Sequence, residues 1–366
     1  MKEQEEIERT ASVVFKLSNT IAISLVLLLI TFLVLIFDIQ LPERKTLDVK
    51  PPQADSNGLF TEAAREEFRQ KLMKSMFWQA PDDSELESEK NKAQILYGKD
   101  LIVNTALYFG DKGRVNAGAT NGMNCQNCHL EAGTKIFGNN YGSVASTYPK
   151  YRARSGTMEN ITKRVNDCFE RSLNGQTLDS NSTEMKAIIA YIYWLGKNTE
   201  KGKKAAGSGF KDMRFLDRAA NPGKGAVVYA EKCQSCHQKD GLGLMNGDKT
   251  AFTYPPLWGP KSYNAGAGLF RLSNFAKYVK YNMPLGASHH SSQLSDEEAW
   301  DVAAFVNSQS RPMMDIKNDW PKLEEKPFDH PFGPYADGFD ETQHKYGPFK
   351  VILEKQKLLN KKNKPT

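Results

Sequence analysis

Two short stretches carry the pattern Cys-x-x-Cys-His. They are "CQNCH", with Cys125, Cys128 and His129, and "CQSCH", with Cys233, Cys236 and His237. Two thiols at this spacing can form thioethers to the vinyl groups of a haem, and a histidine directly after them lies where it can ligate the iron. Two Cys-x-x-Cys pairs would also serve a zinc ribbon, but zinc has no need of a histidine immediately after both. The pattern therefore implies two covalently bound haem c groups, with His129 and His237 as iron ligands.

Haem iron that moves electrons usually takes six ligands, and the sixth tunes the potential. For the second motif, Met283 in "YNMPLG" follows His237 by 46 residues, and a Met-Pro loop facing a haem edge is the pattern of small c-type cytochromes. His289 and His290 are nearby competitors, in a stretch, "ASHHSS", that reads as surface. The first motif has no Met-Pro partner, and Met123, Met158 and Cys168 are its candidate ligands.

Cys168, in "NDCFERSLNG", is the one cysteine of five left over, and it follows His129 by 39 residues. It is either a small buried apolar side chain or a thiolate on iron, which would lower the potential by stabilising the ferric state. Around it stand Lys150, Arg152, Arg154, Lys163, Arg164 and Arg171, against Glu159, Asp167 and Glu170. A charge run is ordinarily a solvated face. Guanidinium groups beside a thiolate would also favour its ionised form and clamp a tetrahedral oxyanion through forked hydrogen bonds. The combination points to a small sulfur oxyanion as substrate.

The elements that must position these groups repeat. Residues 93–200 read as a first unit, with a helix around "AQILYGKDLIVNT", the Cys125 motif, a Gly/Asn/Tyr-rich loop and a closing helix "STEMKAIIAYIYWLG". Ser182 and Thr183 offer its N-cap, and Ile188, Ile189, Ile192 and Leu195 recur at helical spacing. Residues 201–220 are a Gly/Lys/Ser linker. Residues 221–311 repeat the plan 108 residues further on and end in "LSDEEAWDVAAFVNSQS", where Ser295 and Glu298 make a capping-box pattern. Residues 312–366, rich in Pro and aromatics, read as an extended strap with a solvated tail. The fold class is mainly α: two tandem class-I cytochrome c-like domains, each wrapped around one covalently bound haem, after an N-terminal transmembrane helix.

That helix is expected in residues 1–40. The run from Leu17 to Phe37 is uncharged and long enough to cross a hydrocarbon core of ~30 Å, longer than a signal-peptide core, and no small-x-small cleavage site follows it. Residues 41–92 read as a linker with one amphipathic helix, Thr61 to Trp78. Basic residues do not orient the span, since Lys2, Arg9 and Lys16 face Arg44, Lys45 and Lys50. Covalent haem attachment outside the cytoplasm does, and it predicts a single-pass cytoplasmic (inner) membrane protein with its haem domains on the periplasmic, extracytoplasmic side. The 366 residues carry a net charge of +6, and no basic stripe with interleaved aromatics suggests nucleic acid.

The chain resembles the dihaem c-type cytochrome thiosulfate dehydrogenases, which couple thiosulfate to tetrathionate. The likeness runs from about Ala93 to Phe349 and is carried by "NCQNCHLEAG", "SVASTYPKYRARSGTMENITKRVNDCFERSLNG", "YPPLWGPKSYN", "NMPLG" and "LSDEEAWDVAAFVNSQSRP". It implies an oxidoreductase that joins two thiosulfates, in a reaction open to either direction, with electrons passing from haem 1 to haem 2 and on to an acceptor. By resemblance, Cys168 is both the sixth ligand of the first haem and the nucleophile, Arg154, Arg164 and Ser172 line the pocket, and Met283 ligates the second haem. The family often has a lysine directly before that methionine, where this chain has Asn282. The expected anchor also departs from soluble periplasmic relatives and implies a redox acceptor at the membrane, whether a cytochrome, an oxidase or a quinol-linked complex. A membrane-anchored dihaem electron carrier without substrate chemistry is the alternative. A haem subunit acting on a carrier protein in periplasmic sulfur oxidation is a further one.

Overall fold

The computed structural model describes residues 61–362, and the expected membrane span Leu17–Phe37 lies outside them. Among the described residues no helix is long and apolar enough to cross a membrane. The chain divides after Leu72 into two units. Helix α1 (Glu62–Met76) spans that division, inside the stretch the sequence reads as amphipathic helix. The rest belongs to the second unit, which contains both haem motifs.

The first haem motif lies between helices α2 (Lys92–Val103) and α4 (Thr183–Leu195), which cross closely. A Cβ on Gly98 would fall 2.0 Å from the carbonyl oxygen of Ala187, so only glycine permits this approach. Ser182 caps α4 by accepting from the Met185 amide at 3.1 Å. Leu101, Phe109, Phe169, Met185, Ile188, Tyr191 and Leu195 are almost wholly buried around the crossing. The connecting chain forms a short antiparallel hairpin, β1 (Lys150–Arg152) and β2 (Thr157–Glu159), with Lys150 opposite Glu159. It continues into helix α3 (Ile161–Arg171), whose N-cap Asn160 accepts from the Lys163 amide.

The second motif repeats the crossing with α5 (Pro222–Lys232) and α7 (Asp296–Ser308). Here a Cβ on Gly225 would fall 1.9 Å from the Asp301 carbonyl oxygen. Ser295 and Glu298 form the capping box read from the sequence. Helix α6 (Leu272–Asn282) completes this half and ends at Met283.

The halves are joined by buried polar contacts. Tyr278 donates to the Asn127 carbonyl at 2.7 Å, and Asn264 donates from its side chain to the Glu170 carbonyl at 2.8 Å. Asn282, 1% exposed, donates to the Phe137 carbonyl across the same boundary. After Pro312 the chain is largely irregular, as a strap would be, but it does not stay extended. Asp340 caps a helix Glu341–Tyr346, and helix α8 (Phe349–Lys362) follows, burying Phe349 and Ile352 in the second core. Apolar residues three apart among lysines give that last stretch a helical face, which its charge hides at first reading.

Candidate functional site: two sulfur-lined cavities

Each Cys-x-x-Cys-His motif opens onto its own cavity. The first is lined by Cys125, Cys128 and His129 together with Cys168, Arg164 and Ser172, over an apolar wall that includes Ile102, Ile161, Phe169 and Ile188. The second is lined by Cys233, Cys236, His237 and Met283, with Leu257, Val279, Leu294 and Val306. Met123, Asn124 and Cys128 border both, so the two cavities share a wall.

The residues present fit a haem in each. All five cysteines are free thiols, so neither pair is spent on a disulfide. Burial pushes the Cys125 and Cys128 thiols up to about 12 and that of Cys233 to about 11. His129 holds its Nδ1 2.6 Å from the Asn139 carbonyl oxygen, and His237 holds its Nδ1 2.8 Å from that of Pro255. A carbonyl accepts only, so Nδ1 carries the proton in both, and Nε2 keeps the lone pair that a metal needs. Burial lowers the His129 imidazole to about 4 and lowers that of His237 too, so both stay neutral. Tyr141 stacks on the His129 ring with centroids 4.5 Å apart, which fixes its plane.

Cys168, Arg164 and Ser172 are four residues apart in succession on α3 and its C-cap, so one helix face presents all three to the first cavity. The Arg164 guanidinium is held more firmly protonated than usual, first by the charge of Cys168, against the opposing effect of burial. Of the other candidate ligands, Met158 is 64% exposed and outside the cavity lining, whereas Met123 is buried in the shared wall. His289 lies against Phe77 and Phe137, and neither it nor His290 lines the second cavity.

Arg154 is not brought to this group. It donates to the Gly266 carbonyl at 3.0 Å, lies 3.9 Å from Asp319 and stacks over Trp320. Burial, and then the neighbouring Arg171, lower its pKa to about 10. Asp319 meanwhile takes a forked pair of bonds from Arg171 at 2.7 and 2.8 Å. The cavity is instead lined by Arg152, with Lys150 and Lys204. The signal for the first two was present: Lys150 and Arg152 are two apart on β1 and so share a face, with Tyr151 pointing away at 43% exposure.

Two helical halves, each closing a Cys-x-x-Cys-His motif over a sulfur-lined cavity, define a dihaem c-type cytochrome. Residues 115–200 match the family described as SoxA/TsdA, cytochrome c domain, and residues 220–306 match cytochrome C oxidase, cbb3-type, subunit III. The chain is 34% identical to thiosulfate dehydrogenase of Stutzerimonas stutzeri, over 64% of its own length and 73% of the relative's. It is 39% identical to that of Allochromatium vinosum, over 53% and 71%, and 36% identical to that of Psychrobacter arcticus, over 66% and 71%. The solved thiosulfate dehydrogenase TsdBA of Marichromatium purpuratum superposes with a TM-score of 0.59 at 27% identity. That match covers 68% of this chain and 54% of the other. The chain belongs to the thiosulfate dehydrogenase family, and its two cytochrome c domains carry two covalently bound haem c groups.

Proposed function

We propose that the protein oxidises thiosulfate and joins two molecules into tetrathionate at Cys168. The observation that carries this reading is the single helix face that presents Arg164, Cys168 and Ser172 to the cavity of the first haem motif. The haems, once bound, supply the acceptors for the two electrons that the reaction releases.

The side chains supply the rest. Arg164 neutralises a sulfur oxyanion beside Cys168, and Ser172 donates a hydrogen bond to it. The Cys168 sulfur bonds to the sulfane sulfur of the first thiosulfate, giving a cysteine S-thiosulfonate with loss of two electrons. A second thiosulfate then attacks the sulfane sulfur of the adduct; the new S–S bond makes tetrathionate, and the Cys168 thiolate leaves. Arg154 acts from behind, by setting the hairpin that carries Lys150 and Arg152, while Asp319 and Gly266 hold it. Written this way the steps run in either direction.

Residues 93–200 are assigned the sulfur chemistry and residues 221–311 the transfer of electrons onward, with Met283 as the second haem's ligand. The wall of Met123, Asn124 and Cys128 common to both cavities supports a short path between them. The relatives point to an extracytoplasmic haem protein. The apolar run Leu17–Phe37 supports an inner-membrane anchor, with a redox partner at the membrane surface.

The test compares wild type with Cys168→Ala, both haems confirmed loaded, for thiosulfate-dependent reduction of an artificial acceptor. Activity in the wild type and none in the variant is expected. Equal activity in both would remove Cys168 from the chemistry. No activity in either would return the protein to the electron carriers.

A further inference from the structure

Joining two dianions requires the second to reach the first against its charge, and Arg164 alone does not account for that. Four cations line the first cavity, Lys150, Arg152, Arg164 and Lys204, and no aspartate or glutamate is among the lining residues. They come from separate elements. Arg164 sits on α3 one turn before Cys168, Lys150 and Arg152 share a face of β1, and Lys204 comes from the segment after α4. Lys204 is exposed and the other three are half-buried, so positive charge runs from the rim inward.

The nearby acids are engaged elsewhere. Asp167 pairs with Lys163, Asp319 with Arg171, and the buried Glu159 accepts from Ser155 at 2.7 Å. The cations therefore face one another. The Lys150 ammonium is lowered by burial first, then by Arg152, Lys204 and Arg164, with Glu159 opposing weakly. Four cations gathered on a half-buried wall, with Glu159 as a partial countercharge behind Lys150, are in excess of the acids beside them, and a bound anion relieves them.

We propose that Lys150, Arg152 and Lys204 form a second anion subsite at the cavity mouth, which takes the sulfonate of the incoming thiosulfate. This rests on the reading of Cys168 given above. Arg164 and Ser172 hold the sulfonate of the adduct, and the rim cations hold the attacker so that its sulfane sulfur faces the adduct's sulfane sulfur. The step they serve is a displacement with no net change of oxidation state: one S–S bond forms, the bond to Cys168 breaks, and the thiolate carries away the charge. The same subsite would take the outer sulfonate of tetrathionate in the reverse direction.

The experiment uses the full chain with both haems and separates the half-reactions. Oxidised wild type, Lys150→Gln/Lys204→Gln and the charge-keeping Lys150→Arg/Lys204→Arg each receive one equivalent of thiosulfate. The mass of the Cys168 peptide is then read before and after a chase with excess thiosulfate. In the glutamine variant, adduct formation should stay within about twofold of wild type while clearance by the chase slows about tenfold, since each lost charge removes a charge-assisted bond. The arginine variant should recover most of the clearance rate. If the three cations instead serve haem propionates, haem loading or potential shifts and both half-reactions fall alike, which overturns the subsite. A wild type that forms no adduct would remove the reading of Cys168 itself, and the subsite with it.

Discussion

Asp319 is a side chain whose removal should cost the fold several kcal/mol. It lies 148 residues from Arg171 in sequence, yet it accepts two bonds from that guanidinium, at 2.7 and 2.8 Å, and also stands 3.9 Å from Arg154. The side chains of Asp319, Arg171 and Arg154 are 12%, 10% and 15% exposed. Asp319→Ala would leave two adjacent, nearly buried guanidinium groups with no carboxylate between them. Breaking a buried pair by removing one partner costs about 3–5 kcal/mol, and the residual exposure here favours the lower end. For a body of this size ~3 kcal/mol corresponds to a fall of roughly 5 °C in Tm. Denaturant unfolding of the haem-loaded protein measures it. The double variant Asp319→Leu/Arg171→Met removes both charges and should recover much of the loss, giving a coupling of about 2 kcal/mol. A loss below about 1 kcal/mol in Asp319→Ala, or purely additive effects, would refute the view that this pair ties the C-terminal segment to the first half.

Two further outcomes follow from burial. Gly98→Ala places a methyl group 2.0 Å from a backbone oxygen of α4, so the helices must part; this should cost about 3 kcal/mol and reduce haem content per protein, read by unfolding and absorbance. His330 is lowered to about 4 by burial, then by Lys326, with Arg154 and Arg271 adding to it and the Phe332 carbonyl opposing. Its folded value lies below the unfolded 6.5, so the unfolded chain takes the proton first, and stability present above 6.5 is lost as pH falls toward 4. The loss should reach about 2 kcal/mol between pH 7 and pH 5, and His330→Gln should abolish that part of it, as unfolding at the two pH values would show.

What was legible in the sequence was local. Ser182 and the Ser295/Glu298 box mark helix starts because a capping side chain bonds amides two or three residues away. Cys168 stands out because cysteine pairing can be counted; Arg164 stands in the basic run around it, whereas Ser172 was indicated only by the family resemblance, and their shared face with Cys168 is a product of helix α3. Arg154 shows where such reading stops. Its charge places it in the same basic run, but its partners Gly266 and Asp319 are brought by the fold from the second half and the C-terminal segment. No local pattern encodes them. The carbonyls of Asn139 and Pro255, which set the histidine tautomers, were equally hidden, because any residue supplies a carbonyl. Asn282 is intermediate: the sequence notes it beside Met283, while its bond to the Phe137 carbonyl depends on how the halves dock.

The most direct test of the central claim is the mass of the Cys168 peptide after the oxidised, haem-loaded protein meets thiosulfate under conditions that prevent a second turnover. The account predicts an added thiosulfate unit on Cys168 that a thiol reductant removes and that excess thiosulfate releases as tetrathionate. An unmodified Cys168 peptide in a protein that nonetheless makes tetrathionate would contradict it.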